Sequence, residues 1–348
     1  MNIRNVADQL CDSEAGVGSP SRPVHRLIEY GRLPLFVALT KPRVMMLAVF
    51  TALVGLINAP VRLEPFVAFV AVLAIAAGAG SAGVLNMWYD ADIDAVMKRT
   101  AMRPIPRGKV SRFEALVFGL VLAVAAVAGL ALATNITAAA LLAGAILFYV
   151  VVYTAWLKRS TRQNIVIGGA AGALPPVIGW AAATGDIGLQ PLVLFLIIFL
   201  WTPPHFWALA LNRCDEYARA GVPMLPVVVG RVATTRQILV YSALLAIASV
   251  LPWALGFAGA IYGAIAAIGG AFFLGLAFQL SRSGEADRRA AHRLFVFSIS
   301  YLFVLFAVVS IDRSANASPS SRLPHDARID VGSSVAMPIT TNVRAREV

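Results

Sequence analysis

Few residues in this sequence are charged, and that scarcity is the first guide to its class. Asp, Glu, Lys and Arg make up 14% of the 348 residues, whereas 59% are hydrophobic. A soluble globular protein is usually about 25% charged and about 45–50% apolar. Because the chain has too few charges to cover an ordinary water-facing surface, we expect most of it to lie in a lipid bilayer.

Cysteine is nearly absent as well. The two cysteines, Cys11 and Cys214, form no disulfide framework and lack the spacing of a metal-binding motif. A cleavable signal peptide is also missing, because the first segment, about thirty residues long, is polar and mixed in charge. We therefore expect neither a disulfide-stabilised domain nor a cleaved leader.

Acidic residues are outnumbered by basic ones, 18 to 29, which gives a formal net charge of +11. The basic residues lie between apolar segments, and one alternate set of short loops holds only Arg62. This asymmetry is typical of membrane proteins whose basic loops are cytoplasmic. We therefore predict no nucleic-acid partner, a cytoplasmic amino terminus and, with an odd number of spans, an external carboxyl terminus.

Long apolar segments are abundant. Nine of them reach the roughly 17–25 residues that a membrane-spanning helix needs. Their approximate bounds are Leu35–Asn58, Phe66–Leu85, Glu114–Ala133, Ile136–Trp156, Ile165–Thr184, Leu189–Leu211, Gln237–Phe257, Ala258–Leu280 and Leu294–Ile311. The sequence thus predicts an all-α, polytopic membrane helical bundle over residues 34–312, with a polar cytoplasmic tail at 1–33 and a disordered polar tail at 313–348.

A polar cluster follows the second span directly. Asn86, Asp90 and Asp94 recur every four residues and therefore share one face of a helical segment. A charge at the bilayer centre costs about 2.5–3.5 kcal/mol, and like charges four residues apart on a helix repel by about 0.2–0.5 kcal/mol. Mg²⁺ offsets such costs, since it binds one or two protein carboxylates together with substrate phosphates. The cluster therefore predicts a magnesium and diphosphate site, with Asp90 and Asp94 as catalytic residues.

Three arginines follow at the same four-residue spacing: Arg99, Arg103 and Arg107. Pro104 and Pro106 interrupt any helix there. Guanidinium groups are natural bidentate partners of phosphate oxygens, which favours binding of a diphosphate. The alternative is an ordinary solvated loop. Lys158, after the fourth span, either adds positive potential to the same site or serves only as a topological anchor.

A second polar cluster ends the sixth span and contains Asn212, Arg213, Asp215, Glu216 and Tyr217. Acids are unusual among these basic loops, so we predict that Asp215 and Glu216 form a second metal or substrate site. The spacing Asn212-x3-Glu216 echoes Asn86-x3-Asp90, which suggests that the two clusters face each other. The alternative is a helix end that carries interfacial aromatic residues.

His205 is the one histidine that falls within a predicted span. It follows the prolines at 203 and 204 and lies ten residues before Asp215. A lone membrane histidine is usually a hydrogen-bonded packing residue. Neutral imidazole can also ligate iron or transfer a proton, so His205 is a candidate for either role.

Three segments together resemble a known family: NMWYDADIDAVMKRTAMRPIPRGKV, WTPPHFWALAL and DEYARAGVPMLPVV. The first is similar to the signature of the UbiA superfamily of intramembrane aromatic prenyltransferases through Asn86, Asp90, Asp94, Met97, Arg99, Thr100, Arg103 and Gly108. All three resemble the haem-farnesylating branch of that superfamily, the protohaem IX farnesyltransferases. The resemblance spans about residues 35–311.

This resemblance implies helices around a central cavity that opens to the cytoplasm and laterally to lipid. It also implies the reaction: farnesyl diphosphate, haem B and water give haem O and diphosphate, for the biogenesis of haem–copper terminal oxidases. Mg²⁺ is the implied cofactor, and a bacterial inner (plasma) membrane is the implied location. A haem A synthase or oxidase assembly factors are the implied downstream partners.

The resemblance also assigns roles to single positions. Asn86, Asp90 and Asp94 match the first magnesium–diphosphate motif. The remaining matches are basic positions, a second acidic region and a histidine suspected of contacting haem: Arg99, Arg103, Arg107, Asp215, Glu216 and His205. The chain departs from the usual second motif, Asp-x3-Asp, because Asn212 replaces its first acid, a change that the haem-modifying branch tolerates.

Two other functions stay open. One is a polyprenyltransferase for 4-hydroxybenzoate or a similar aromatic acceptor, although His205 and the segment 217–229 speak against it. The other is a multi-pass transporter or haem-assembly factor without catalysis, since ionisable residues in spans also mark transport paths. Transporters usually bind substrate near mid-membrane, whereas these acids lie at helix ends, which favours the enzyme.

Overall fold

The computed structural model describes residues 32–284 and 287–316, with side chains described as far as residue 312. The tails predicted at 1–33 and 313–348 lie almost wholly outside the described residues, although the last helix continues to Asn316. All regular structure within the described ranges is helical.

The helices, in chain order, are α1 (Leu33–Leu39), α2 (Pro42–Ile57), α3 (Pro65–Tyr89), α4 (Ala91–Val96), α5 (Arg112–Ala133), α6 (Ile136–Leu147), a π-helical segment (Phe148–Leu157), α7 (Lys158–Ser160), α8 (Asn164–Ala173), α9 (Pro175–Thr184), α10 (Leu189–Leu211), α11 (Cys214–Arg219), α12 (Leu225–Ala254), α13 (Ala260–Arg282) and α14 (Arg288–Asn316). Eight helical stretches of the described chain are long and apolar enough to span a membrane, and α1 with α2 makes a ninth. The predicted all-α bundle of about nine spans is confirmed.

Several spans differ from the plain helices that hydrophobicity predicts. The first bends by 59° between α1 and α2, where Lys41 has a left-handed backbone and precedes Pro42. The fourth passes through the π-helical segment, and the fifth divides at Leu174, before Pro175. Proline cannot donate the backbone hydrogen bond that would continue a helix, which explains why the fifth span divides there. By contrast, α10 runs without interruption through both of its prolines.

The helices follow one another around a closed bundle. α3 packs between α2 and α5, α6 and α9 connect to α10, and α12, α13 and α14 complete the circuit back to α2. At this closure the rings of Phe50 and Phe303 stack with centroids 4.7 Å apart, and the Asn58 side-chain amide donates to Ser310 Oγ at 2.9 Å. Connections alternate between two ends, and the end that carries loops 90–111, 158–163 and 212–224 is called the polar end.

Glycine brings α2 and α9 unusually close. A Cβ atom on Gly179 would lie 1.9 Å from the carbonyl oxygen of Ala52, and one on Gly55 would lie 2.0 Å from that of Pro176. Contacts of this length are impossible for any larger residue, so the two helices touch backbone to backbone. Other residues of the same two helices line the cavity described below.

Candidate active site

The acidic face begins where α3 ends. Asp90 caps α3, and α4 starts at the next residue. The backbone nevertheless keeps its helical hydrogen bonds, from Asp90 N to Asn86 O at 2.9 Å and from Asp94 N to Asp90 O at 2.8 Å. The three side chains are only 5%, 0% and 3% exposed, so two carboxylates are buried on one face.

Cations and amide groups surround these two carboxylates. Asp90 Oδ2 accepts hydrogen bonds from Lys158 Nζ at 2.5 Å and from Asn86 Nδ2 at 2.8 Å, while Arg103 Nη1 donates to Asp94 Oδ2 at 2.6 Å. Buried charges are stable only when they are paired and hydrogen-bonded in this way. Asp90 Oδ1 stays without a hydrogen bond from the described residues, although Arg159 Nη2 lies 3.6 Å away.

Lys41 is a member of this cluster that the motif analysis missed. Its ammonium group donates to Asn86 Oδ1 at 2.6 Å, across forty-five residues of chain. The backbone of Lys41 is left-handed, with φ 55° and ψ 57°. Lys41 is the only non-glycine residue with positive φ among those described. The signal in the sequence was a lysine followed by proline inside an apolar run.

The π-helical segment adds a further contact. Thr154 Oγ1 accepts from Asn86 Nδ2 at 3.0 Å and donates to the carbonyl of Tyr149, five residues earlier, at 2.8 Å. The wide turns of a π-helix supply the i→i+5 geometry, and such segments are frequent at functional sites. Lys158, whose ammonium group donates to Asp90, directly follows this segment.

A third ion pair lies on the outside of the cluster. Both Arg159 Nη atoms lie 2.8 Å from the carboxylate oxygens of Asp92, and the guanidinium lies 4.9 Å above the Tyr89 ring. The hydrogen bond from Arg159 lowers the pKa of Asp92 to about 2. Asp92, which points away from the acidic face, is thus paired with arginine.

The predicted row of arginines separates in the structure. Arg103 pairs with Asp94, whereas Arg99 and Arg107 are exposed and pair with no acid in residues 32–284 or 287–312. Turns rather than a helix connect them, because Pro104 and Pro106 occupy the intervening segment. Arg99 and Arg107 therefore lie exposed to solvent at the polar end.

One acid of the second acidic region, Asp215, lines a cavity. Asp215 is exposed, and Glu216 Oε1 accepts from Arg213 at 3.3 Å while its Oε2 is buried without a hydrogen bond from any described residue. Burial and the charge of Asp215 raise the pKa of the neighbouring Cys214 thiol. The cavity has a volume of about 320 Å³ and is lined by Leu211, Asn212, Cys214, Asp215, Pro226, Arg231 and Arg288.

No ion pair joins the two acidic regions within the residues that the structure describes. Across the same ranges, no three His, Cys, Asp or Glu side chains are close enough together to hold a metal ion by themselves. The pair Asp90 and Asp94 therefore needs further oxygen ligands from a substrate or water to complete a magnesium site.

His205 lies at the contact between α10 and α14. Its ring is stacked between Trp201 and Phe295, at centroid distances of 4.2 and 4.6 Å, and is 8% exposed. Its Nδ1 lies 2.7 Å from Ser298 Oγ. The residue is thus both a packing residue and one whose ring is held in a fixed plane.

An apolar cavity of about 180 Å³ adjoins the acidic face. Its walls come from α2, α3, α6, α8 and α9, and most of the lining residues are small or aliphatic. The polar exceptions are Thr40, Lys41 and Tyr149, at the polar end. Since Lys41 also binds Asn86, the cavity and the charged cluster share one wall.

A molecule with a polar head and an apolar tail would fit the charged cluster and the adjoining apolar cavity. Comparison with known proteins identifies the family. The UbiA prenyltransferase family matches residues 48–299. This chain belongs to that family.

Relatives within the UbiA family are close in sequence. The protoheme IX farnesyltransferase of Afipia carboxidovorans is 60% identical over 284 residues, which cover 81% of this chain and 91% of that protein. The protein of the same name from Parvibaculum lavamentivorans is 59% identical over 314 residues, covering 89% and 94%.

Solved structures share the UbiA fold. A digeranylgeranylglyceryl phosphate synthase has a TM-score of 0.68 at 20% identity, covering 81% of this chain and 98% of that one. A UbiA homolog from Archaeoglobus fulgidus bound to DMAPP and Mg²⁺ has a TM-score of 0.60 at 17% identity, covering 78% and 99%. These likenesses establish the fold of the chain.

The residues of this UbiA-family chain fit Mg²⁺. Asp90 Oδ1 is buried and accepts no hydrogen bond from residues that the structure describes, and the adjacent Asp94 offers a second carboxylate on the same face. Hard oxygen donors of this kind suit Mg²⁺, which usually takes one or two carboxylates and completes its octahedron with phosphate and water oxygens.

Proposed function

We propose that this chain transfers the farnesyl group of farnesyl diphosphate to a vinyl group of haem B, with addition of water, to give haem O and diphosphate. The proposal is based on the position of Lys41, which lines the apolar cavity and also donates a hydrogen bond to Asn86, next to Asp90 and Asp94. The apolar cavity and the charged cluster are therefore adjacent. An allylic diphosphate has the matching form, a highly charged head on an apolar chain. The close relatives named protoheme IX farnesyltransferase support this choice of substrates.

The cations of the cluster hold the diphosphate. Lys41, Lys158 and Arg103 direct their donors toward the acidic face, and they also stabilise the charge that develops on the leaving diphosphate. Asn86, Asp90 and Asp94 would hold Mg²⁺, which supplies additional positive charge to the leaving group when bound. Arg99 and Arg107, exposed nearby, are proposed to attract the anionic substrate to this end.

Farnesyl transfer replaces the bond from C1 to diphosphate with a bond from C1 to the haem. The C1–O bond of farnesyl diphosphate breaks with its electrons going to diphosphate, and the terminal vinyl carbon of haem B forms a bond to C1. The positive charge left on the inner vinyl carbon is quenched by the oxygen of water, which then loses a proton. The apolar wall of the cavity keeps other water from the allylic cation before this step.

His205 is proposed to bind the haem, and Asp215 and Glu216 are proposed to be the second acidic region, with roles in metal or substrate binding. We also propose that the polar end faces the cytoplasm across a bacterial inner membrane, with the carboxyl terminus outside. Haem A synthase or oxidase assembly factors are the proposed recipients of the product. The positive charge on the loops of this end supports the orientation.

Pigment analysis tests the proposal. Purified protein in lipid nanodiscs is given farnesyl diphosphate, Mg²⁺ and either haem B or 4-hydroxybenzoate, and products are separated by chromatography and weighed by mass spectrometry. We expect haem O from haem B and no prenylated benzoate. Prenylated benzoate with haem B untouched would instead establish the aromatic-acceptor enzyme, and no product from either acceptor would favour a transporter or assembly factor.

A further inference from the structure

Ser298, on α14, connects His205 to the backbone of its own helix. The residue is fully buried, and its Oγ lies 2.6 Å from the Phe295 carbonyl oxygen and 2.7 Å from His205 Nδ1. A serine hydroxyl has one proton to donate and two lone pairs to accept with. The two contacts therefore cannot both use the serine proton.

The shorter contact determines where that proton lies. A carbonyl oxygen 2.6 Å from a hydroxyl oxygen needs a proton between them, because two unprotonated oxygens repel at that distance. Ser298 thus donates to Phe295 O and accepts from His205, which makes Nδ1 the protonated ring nitrogen. In neutral imidazole, Nε2 is then the nitrogen that carries the lone pair.

The plane of the imidazole is fixed as well. Trp201 and Phe295 cover its two faces with interplanar angles of 18° and 23°. Trp201 is in turn anchored to α14, since its Nε1 donates to the Ser298 carbonyl oxygen at 2.7 Å. Phe206 packs at 89° to the imidazole with a centroid distance of 5.2 Å, so the 8% of His205 that stays exposed is part of the ring edge. His205 Nε2 accepts no hydrogen bond from the described part of the chain.

We propose that Ser298 is a positioning residue for porphyrin iron: it holds Nδ1–H of His205 so that the Nε2 lone pair is presented to the iron of the haem substrate. This inference rests on the proposed function, in which haem is the acceptor. Histidines that ligate metals generally donate their other ring N–H to an oxygen partner, and loss of that partner weakens metal binding by about 10–100-fold.

Titration with two porphyrins separates this role from a structural one. Full-length wild-type protein, Ser298→Ala, Ser298→Thr and His205→Ala are titrated in nanodiscs with ferric protoporphyrin IX and with metal-free protoporphyrin IX, and absorption and electron paramagnetic resonance spectra are recorded. Ser242→Ala is the matched control, because Ser242 is also fully buried and donates to a carbonyl of its own helix, at 2.6 Å.

We expect Ser298→Ala to bind ferric porphyrin about 10–100-fold more weakly and with an altered iron spectrum, and to bind the metal-free porphyrin like wild type. Ser298→Thr, which keeps the hydroxyl, and Ser242→Ala should resemble wild type with both porphyrins. An equal loss for both porphyrins, or wild-type iron binding in Ser298→Ala, would overturn the inference. So would an unchanged iron spectrum in His205→Ala, whereas haem O formation by the wild-type preparation tests the proposed function separately.

Discussion

The ammonium group of Lys41 donates a 2.6 Å hydrogen bond to the side-chain oxygen of Asn86. The bend of 59° between α1 and α2 places it there, together with a left-handed backbone that lysine seldom adopts. Backbone conformations of this kind cost about 1–3 kcal/mol and tend to persist where function requires them. The break in the first span is therefore part of the charged cluster rather than an irregularity in a membrane anchor.

Removal of this charge should slow the reaction. Lys41→Met keeps the apolar stem and loses the donors, so kcat/KM for farnesyl diphosphate should fall about 10–100-fold, given about 1.5–3 kcal/mol for a charge-assisted hydrogen bond. Lys109→Met, in the exposed loop at the same end, is the control. Equal kinetics in the two variants would show that Lys41 contributes only net charge.

Asp90→Asn and Asp94→Asn should each abolish haem O formation while the protein still inserts and folds, because each removes a buried carboxylate from the proposed magnesium site. Asp92→Asn serves as control, since Asp92 pairs with Arg159 on the exposed side. Product formation is measured with and without a magnesium chelator. Near-wild-type turnover in either of the first two variants would exclude the metal role.

The preference of the protein for a prenyl diphosphate of farnesyl length should depend on Gly172. This residue lines the apolar cavity, and a Cβ atom there would meet no other atom within 4 Å. Gly172→Phe should therefore fill the cavity and raise the ratio of geranyl to farnesyl transfer, measured by competition between the two diphosphates. Gly144→Phe, at an exposed helix position outside the cavity, should keep the farnesyl preference. An unchanged ratio in Gly172→Phe would mean that the prenyl chain lies elsewhere.

The seam between α2 and α9 should tolerate no side chain. Gly179→Ala places a methyl group against the Ala52 carbonyl and should destabilise the protein by about 3 kcal/mol, near the upper range for overpacking. The thermal unfolding midpoint in detergent measures this effect. Gly144→Ala, which meets open space, should change stability by no more than about 1 kcal/mol. Similar midpoints for both variants would disprove the close approach.

The apolar segments of the sequence were sufficient to predict the number of membrane-spanning helices. The four-residue spacing of Asn86, Asp90 and Asp94 was sufficient to predict that they share one helix face. Neither feature could reveal the bend at Lys41, because a lysine beside a proline in an apolar run is equally compatible with a simple loop. Nor could spacing show that Arg103 alone among the three arginines pairs with Asp94, since the turns between them do not follow helical geometry. Contacts between distant segments decide such questions.

The surroundings of the second acidic region were equally beyond the sequence. The echo between Asn86-x3-Asp90 and Asn212-x3-Glu216 predicts that the two clusters face each other, which stays a prediction, and it gave no sign of the cavity that Asp215 lines with Arg231 and Arg288. Local spacing fixes which side chains share a helix face, whereas the rotation of that helix in the bundle depends on packing with its neighbours.

The π-helical segment 148–157 makes chain length a constraint of its own. Each of its turns closes over five residues rather than four, so loss of one residue would return the stretch to ordinary α-helix. The hydrogen bond from Thr154 to the carbonyl five residues earlier requires the wider turn and would be lost, and with it the position of Thr154 beside Asn86. Single-residue deletions in this stretch should therefore weaken the charged cluster even when every side chain that contacts a carboxylate is kept.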